Sequence, residues 1–184
     1  YGDVLKQGEG VALFMAAPEL RYKLSFVAFV DLTLDKKGIE LLYGMDLEDK
    51  SQAGTPWQKL TTNKENLLKF LKSKKEPKLF FTAPAGVHIL GQKFEDMGFG
   101  KRLAYKMASG APPIKLGKGG IIVTGGGSKG FADLPPYPQL VSNAQKHFVS
   151  KSGEGKQIDT PFMDVLGMTE TLTALIDRYG VMDK

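Results

Sequence analysis

Lys78-Leu79-Phe80-Phe81-Thr82-Ala83-Pro84-Ala85-Gly86-Val87 is the stretch that decides the fold. Residues 78–82 read as a short apolar strand. Pro84 suits the first turn of a helix, where its missing N–H has no bond to make. Val87, Leu90, Phe94 and Met97 then repeat at three and four residues, which predicts a helix stopped by Gly98 and Gly100. A strand running directly into a helix is half of a strand–helix–strand unit.

Working outward, the same alternation recurs. Downstream, a linker with Gly110, Pro112, Pro113, Gly117, Gly119 and Gly120 leads to Ile121-Ile122-Val123, a second short apolar strand. After Pro135, Pro136 and Pro138, the positions Leu140, Val141, Ala144 and Phe148 form an amphipathic face, followed by a polar loop from Ser150 to Lys156. Upstream, Leu24 to Leu34 is β-branched and aromatic and, for part of its length, apolar on both parities, which predicts a strand buried on two faces. Asp35 to Gly38 reads as a turn, Ile39 to Leu47 as another strand, and Ser51 to Trp57 as a loop. Thr61-Thr62-Asn63 offers caps for a helix with Leu67, Leu68 and Leu71 on one face, ending before Pro77. Strands alternating with helices favour parallel pairing through crossovers. The expectation is an α/β fold, a largely parallel sheet with helices packed on both faces, in a single domain over residues 1–184.

The chain has 184 residues, 42% hydrophobic and 24% charged, which excludes a disordered or collagen-like reading. No apolar run approaches the roughly 20 residues of a membrane span, so a cytoplasmic protein without a span is expected. The absence of cysteine removes thiol catalysis and thiolate metal sites from this chain. Net charge is +5, and part of the excess sits in one run, Lys64, Lys69, Lys72, Lys74 and Lys75. No aromatic residues interleave with that run to stack bases, so it reads as a solvated helix face and no nucleic-acid partner is expected.

The clearest chemical signal is Thr124-Gly125-Gly126-Gly127-Ser128-Lys129-Gly130 at the end of an apolar strand. Residues without Cβ let backbone amides approach a base or a phosphate closely, although three glycines also suit a flexible turn. A P-loop is excluded, because Gly130 follows Lys129 where a hydroxyl residue is needed. A nicotinamide site rests on this loop alone; it would place its glycines in the first strand–helix unit, and here they come late. The second signal is Asp164-Val165-Leu166-Gly167-Met168-Thr169-Glu170-Thr171. A carboxylate oxygen can hold Mg²⁺ and a threonine hydroxyl can bond a phosphate. Equally, Thr169 can cap a helix running through Leu172, Leu175 and Ile176.

Taken in order, Phe80-Phe81-Thr82-Ala83-Pro84, Ile121 to Lys129 and Asp164 to Glu170 resemble the acyl-protein synthetases of the LuxE type, fatty-acid-activating members of the adenylate-forming ligase superfamily. The resemblance runs from Lys78 to Ile176. It implies a ligase that uses ATP and Mg²⁺ to convert a fatty or other apolar carboxylic acid into an acyl-adenylate, with an acyl-accepting or reductase protein as partner. Gly125, Gly126, Gly127, Ser128 and Lys129 would line the nucleotide or acyl side of the site, with Leu166, Gly167 and Met168 beside the adenine. Thr169 would bind the α-phosphate and Glu170 the metal, while Thr82, Ala83, Pro84, Ala85 and His88 would approach the acyl chain. The resemblance further implies that residues 1–184 form the central portion of a longer ligase N-terminal domain, inactive alone. Ser128 and Leu166 stand where the family has aromatic residues, so a noncatalytic nucleotide- or acyl-binding module with a degenerate ligase fold stays open as the alternative.

The remaining singular residues have plainer readings. His88 lies one residue off the apolar stripe of its helix and suits helix packing as well as substrate contact. His147 is expected to face solvent, and Trp57 to anchor its loop by packing.

Overall fold

A strand apolar on both faces needs cover on both, and three segments meet that condition: β1 (Val11–Phe14), β5 (Lys78–Thr82) and β7 (Ile121–Gly125). They are neighbours at the centre of the sheet. The computed structural model describes residues 9–96, 98, 113–125, 134–168 and 173–179, with the side chains of 93, 94, 166–168 and 173–179 outside that description.

Between the buried strands the chain forms α1 (Ser25–Lys36), β2 (Glu40–Tyr43), β3 (Met45–Leu47), β4 (Leu60–Thr62) and α2 (Lys64–Lys72). After β5 come α3 (Pro84–Glu95) and β6 (Ile114–Lys118). After β7 come α4 (Tyr137–His147), β8 (Phe148–Lys151), β9 (Gln157–Asp159), β10 (Phe162–Met168) and β11 (Thr173–Tyr179). The main sheet has the order β11-β10-β7-β5-β1-β2. Its five strands β2, β1, β5, β7 and β10 are all parallel, and β11 closes the row antiparallel to β10. The expected α/β class, with a largely parallel sheet and helices on both faces, is what is observed.

Alternation along each strand divides the core in two. Val11, Leu13, Phe80, Ile122 and Phe162 face α2, α3 and α4, which contribute Phe70, Val87, Leu140, Val141 and Ala144. Ala12, Phe14, Leu79, Ile121 and Val123 face α1, which contributes Val27, Val30 and Leu34. A smaller sheet, β6-β8-β9, lies where β7 and β10 begin: β6 turns into β7 through Gly119 and Gly120, and Phe148 of β8 stacks on Phe80 at 5.6 Å.

Several sequence expectations need correction. Leu24 to Leu34 is a helix, α1, and the first strand is β1, four residues long. The β-branched content of the segment favours a strand, but Val27, Val30 and Leu34 also fall at helical spacing, and a parallel β1–β2 pair requires a crossover between them. The price of that face choice is visible, with Phe29 and Leu32 left 65% and 68% exposed. Ile39 to Leu47 is two strands, β2 and β3, parting at Gly44, where a Cβ would meet Met15 Sδ at 2.6 Å. In α2 it is Phe70, not Leu68, that is buried, and Asn63 is the cap, accepting from the Asn66 amide at 2.9 Å. Within the stretch read as a linker before Ile121 stands β6, and the polar loop from Ser150 holds the end of β8. Leu172 to Ile176 was open to a helical reading; Thr173–Tyr179 is a strand, β11. Trp57 is 78% exposed, which does not fit the packing anchor expected of it.

Two lysines of the basic run are tied to the sheet. Lys69 and Lys75 each bring Nζ to 2.8 Å from the Glu40 carboxylate on β2. Those two lysine bonds hold the Glu40 carboxyl below its ordinary range. A depressed carboxyl favours the folded state above its ordinary pKa of 4.5 and loses that advantage as pH falls through the folded value. Glu40→Gln should therefore lower stability at pH 7 by no more than about 1 kcal/mol. The difference from wild type should shrink in high salt and vanish in strong acid, as read by urea midpoints. Ile122, fully buried at the sheet centre, is a core position of the other kind: Ile122→Ala should cost about 2–5 kcal/mol, checked in the same titration.

Candidate functional site

Parallel strands end on a common edge, so segments distant in sequence emerge side by side wherever they follow such strands. Thr82 of β5 pairs in register with Thr124 of β7, and Thr124 with Asp164 of β10. All three share parity with Phe80, Ile122 and Phe162, and so lie on the face covered by α3 and α4. Three of the sequence motifs thus form one row at the carboxyl edge. The turn into α3 begins at the end of this row, with Pro84 at its first positions and Ala83 extended before it. Gly86, in the first turn, leaves the space that the Thr82 hydroxyl occupies.

Thr124 is the polar centre of the row. It is fully buried, and a buried hydroxyl needs partners. Its Oγ1 lies 2.7 Å from Asp164 Oδ1 and 3.0 Å from the Tyr137 hydroxyl at the start of α4. A carboxylate oxygen only accepts, so Thr124 donates its single proton to Asp164 and receives that of Tyr137. The result is a directed chain, Tyr137 to Thr124 to Asp164, linking α4, β7 and β10. Tyr137 is also held edge-on against the Phe162 ring, with centroids 6.2 Å apart.

The opposite face of the same edge is aromatic. Phe14 lies 5.9 Å from Phe81, 6.0 Å from Phe26 and 6.3 Å from Tyr43, centroid to centroid. Phe26 crosses to Gly125, where a Cβ would meet its ring at 2.9 Å. The missing side chain at 125 is therefore filled by an aromatic ring from α1. At the far end of this group the Tyr43 hydroxyl donates to Asp31 Oδ1 at 2.9 Å, and Arg21 Nη1 lies 3.4 Å from Oδ2. Burial, reinforced by the bond to Asp31, pushes the Tyr43 phenol well above its ordinary range, so it acts as a donor and not as a base.

Of the residues singled out from sequence, Thr82, Pro84 and Ala85 are buried, while Ala83 and His88 are half-buried. Gly125 ends β7, and Leu166, Gly167 and Met168 end β10, two strands that are neighbours. Gly126, Gly127, Ser128, Lys129, Thr169 and Glu170 lie outside the described residues. His147 does not face solvent: its side chain is 13% exposed, against Gly91, with Nε2 3.7 Å from Glu95 Oε1. Sequence reasoning did not single out Tyr137, Phe26 or the role of Thr124. One signal was available: Thr124 is polar in a strand otherwise apolar on both faces, and such a residue demands a partner. Tyr137 follows two prolines at a helix start, which places it beside strand ends but does not say which.

Comparison of the chain with protein-family models, with curated proteins and with solved structures finds no match.

Thr124→Val keeps the shape and removes the hydroxyl at the middle of the chain. It should cost about 1–3 kcal/mol. Combined with Asp164→Asn in a double-mutant cycle followed by urea denaturation, it should show a coupling above about 0.5 kcal/mol.

Proposed function

We propose that the chain carries the acid-activating site of an ATP-dependent ligase similar to the LuxE-type acyl-protein synthetases, with a fatty or other apolar carboxylic acid as substrate. The observation that carries this reading is the shared edge of the motif segments: residues 82–85 end β5 and turn into α3, residues 124–125 end β7, and residues 164–168 form the end of β10, three adjacent parallel strands. The order reverses between β1 and β5, so of these segments the Thr82 to Ala85 turn borders the reversal, the place where open parallel sheets bind ligands outside the carboxyl ends.

In this reading a substrate carboxylate oxygen attacks the α-phosphorus of ATP, the bond to the β-phosphate oxygen breaks, and pyrophosphate leaves. Glu170 would hold Mg²⁺, which would supply charge neutralisation on the phosphates, and Thr169 would bond the α-phosphate. The residues of this chain otherwise act by positioning. The Tyr137–Thr124–Asp164 chain fixes β10 against β7 directly before Leu166, Gly167 and Met168, the residues that would flank the adenine. The Thr82 to Ala85 turn and His88 bound the acyl side, and Phe26 over Gly125 keeps an apolar wall at the start of the glycine loop. The acyl-adenylate then passes its acyl group to the accepting protein, releasing AMP.

The test is ATP–pyrophosphate exchange by the full-length natural polypeptide across a panel of fatty and short carboxylic acids. Exchange dependent on an apolar acid is expected. Nucleotide binding without exchange would favour the noncatalytic module instead, and neither would remove both. In the same protein Glu170→Ala should weaken Mg²⁺-ATP binding by about 1–3 kcal/mol, with unchanged nucleotide affinity counting against that carboxylate.

A further inference from the structure

The opposite edge of the sheet, where β5 and β7 begin, has a different chemistry. A cavity of about 380 Å³ opens there between the loop after α2, the first residue of β5, and strands β6 and β8. Lys74, Lys75, Lys78, Lys115 and Lys151 line it, against the single carboxylate of Glu76. Lys75 is engaged with Glu40 at 2.8 Å. Among the described residues Lys74, Lys115 and Lys151 have no acidic partner.

Lys78 separates this groove from an ordinary basic surface. It is 7% exposed, with its ammonium over the Phe70 ring at 5.5 Å and one proton given to the Leu71 carbonyl at 3.0 Å. Among the described residues no second acceptor takes the other two protons. Burial lowers its pKa, and the nearby Glu76 charge only partly opposes that. Glu76 is itself seated against the backbone of β6: a Cβ at Gly117 would lie 2.5 Å from its carboxyl. Lys115 and Lys151 stand on adjacent paired strands, so their positions are set by the β6–β8 ladder.

We propose that this groove binds a compact ligand carrying two linked phosphate groups. Four lysines not engaged by Glu40 face one carboxylate, an excess of three positive charges that matches the roughly −3 of such a group at neutral pH. Several oxygens on one small anion can accept from ammonium groups on different segments at once, which a lone carboxylate cannot do. The volume lies within the range of about 300–1,000 Å³ usual for small-molecule sites. The site is at the opposite edge from Thr82, Thr124 and Asp164 and does not depend on the ligase reading.

The experiment is titration of the isotope-labelled protein with inorganic pyrophosphate at physiological salt, followed by NMR of backbone amides and lysine Cε–Hε groups. Saturable shifts are expected at Lys78 Cε and at the amides of Gly117, Ser150 and Lys151, with Lys115→Gln/Lys151→Gln binding about tenfold more weakly. Both of those side chains are exposed, so the variant should keep the wild-type fold, visible in its unperturbed spectrum elsewhere. Sulfate should compete poorly. Equal affinity in the double variant, shifts confined to Thr82 and Gly125, or unsaturable shifts scattered over surface lysines would each overturn the proposal.

Discussion

The structure depends on the complete burial of β7. With β5 on one side, β10 on the other and a helical layer over each face, every residue from Ile121 to Gly125 is removed from water. Its backbone groups must then be satisfied by parallel neighbours, and its side chains must be apolar or internally paired. Thr124 is the exception that proves instructive, because its hydroxyl draws Asp164 and Tyr137 into fixed positions. One buried polar atom thereby orients a helix start and a strand end.

Parallel pairing has a second consequence, since it separates the two ends of the sheet into distinct surfaces. The carboxyl edge collects a hydroxyl and carboxylate row on one face and four aromatic rings on the other. Toward the amino edge, where β6, β8 and β9 fold back, lysines from β5, β6, β8 and the loop after α2 gather around a cavity. A chain with a net charge of only +5 thus carries a local excess of positive charge, because residues 74–78, 115 and 151 converge in space though not in sequence.

How much of this was legible in the sequence differs by element. β5 and the start of α3 were, because Pro84 marks a first helical turn and the apolar run Leu79-Phe80-Phe81 comes shortly before it. β7 and α4 were, for similar reasons of punctuation. α1 was not, since Ser25 to Leu34 satisfies the strand pattern by composition and the helix pattern by spacing, and only the crossover between β1 and β2 decides. β6 was hidden by its lysines and Gly117, which belong to an outward face and a left-handed turn rather than to a linker. Of the candidate site, the segments at 82–85, 124–125 and 164–168 were legible as motifs; the partners Tyr137 and Phe26 were not, because each reaches the edge from a helix on a different face.

By itself the sequence determined the α/β class, the strand-then-helix units at 78–95 and 121–147, and the absence of thiol chemistry, because periodicity, proline placement and composition act locally. Only the tertiary structure decided that β5, β7 and β10 are neighbours, that Thr124 joins Tyr137 to Asp164, and that Phe26 fills the space beside Gly125. Those facts depend on strand order and on which face each helix covers. Both are set by burying all the apolar surfaces at once, a condition that no local stretch of residues contains.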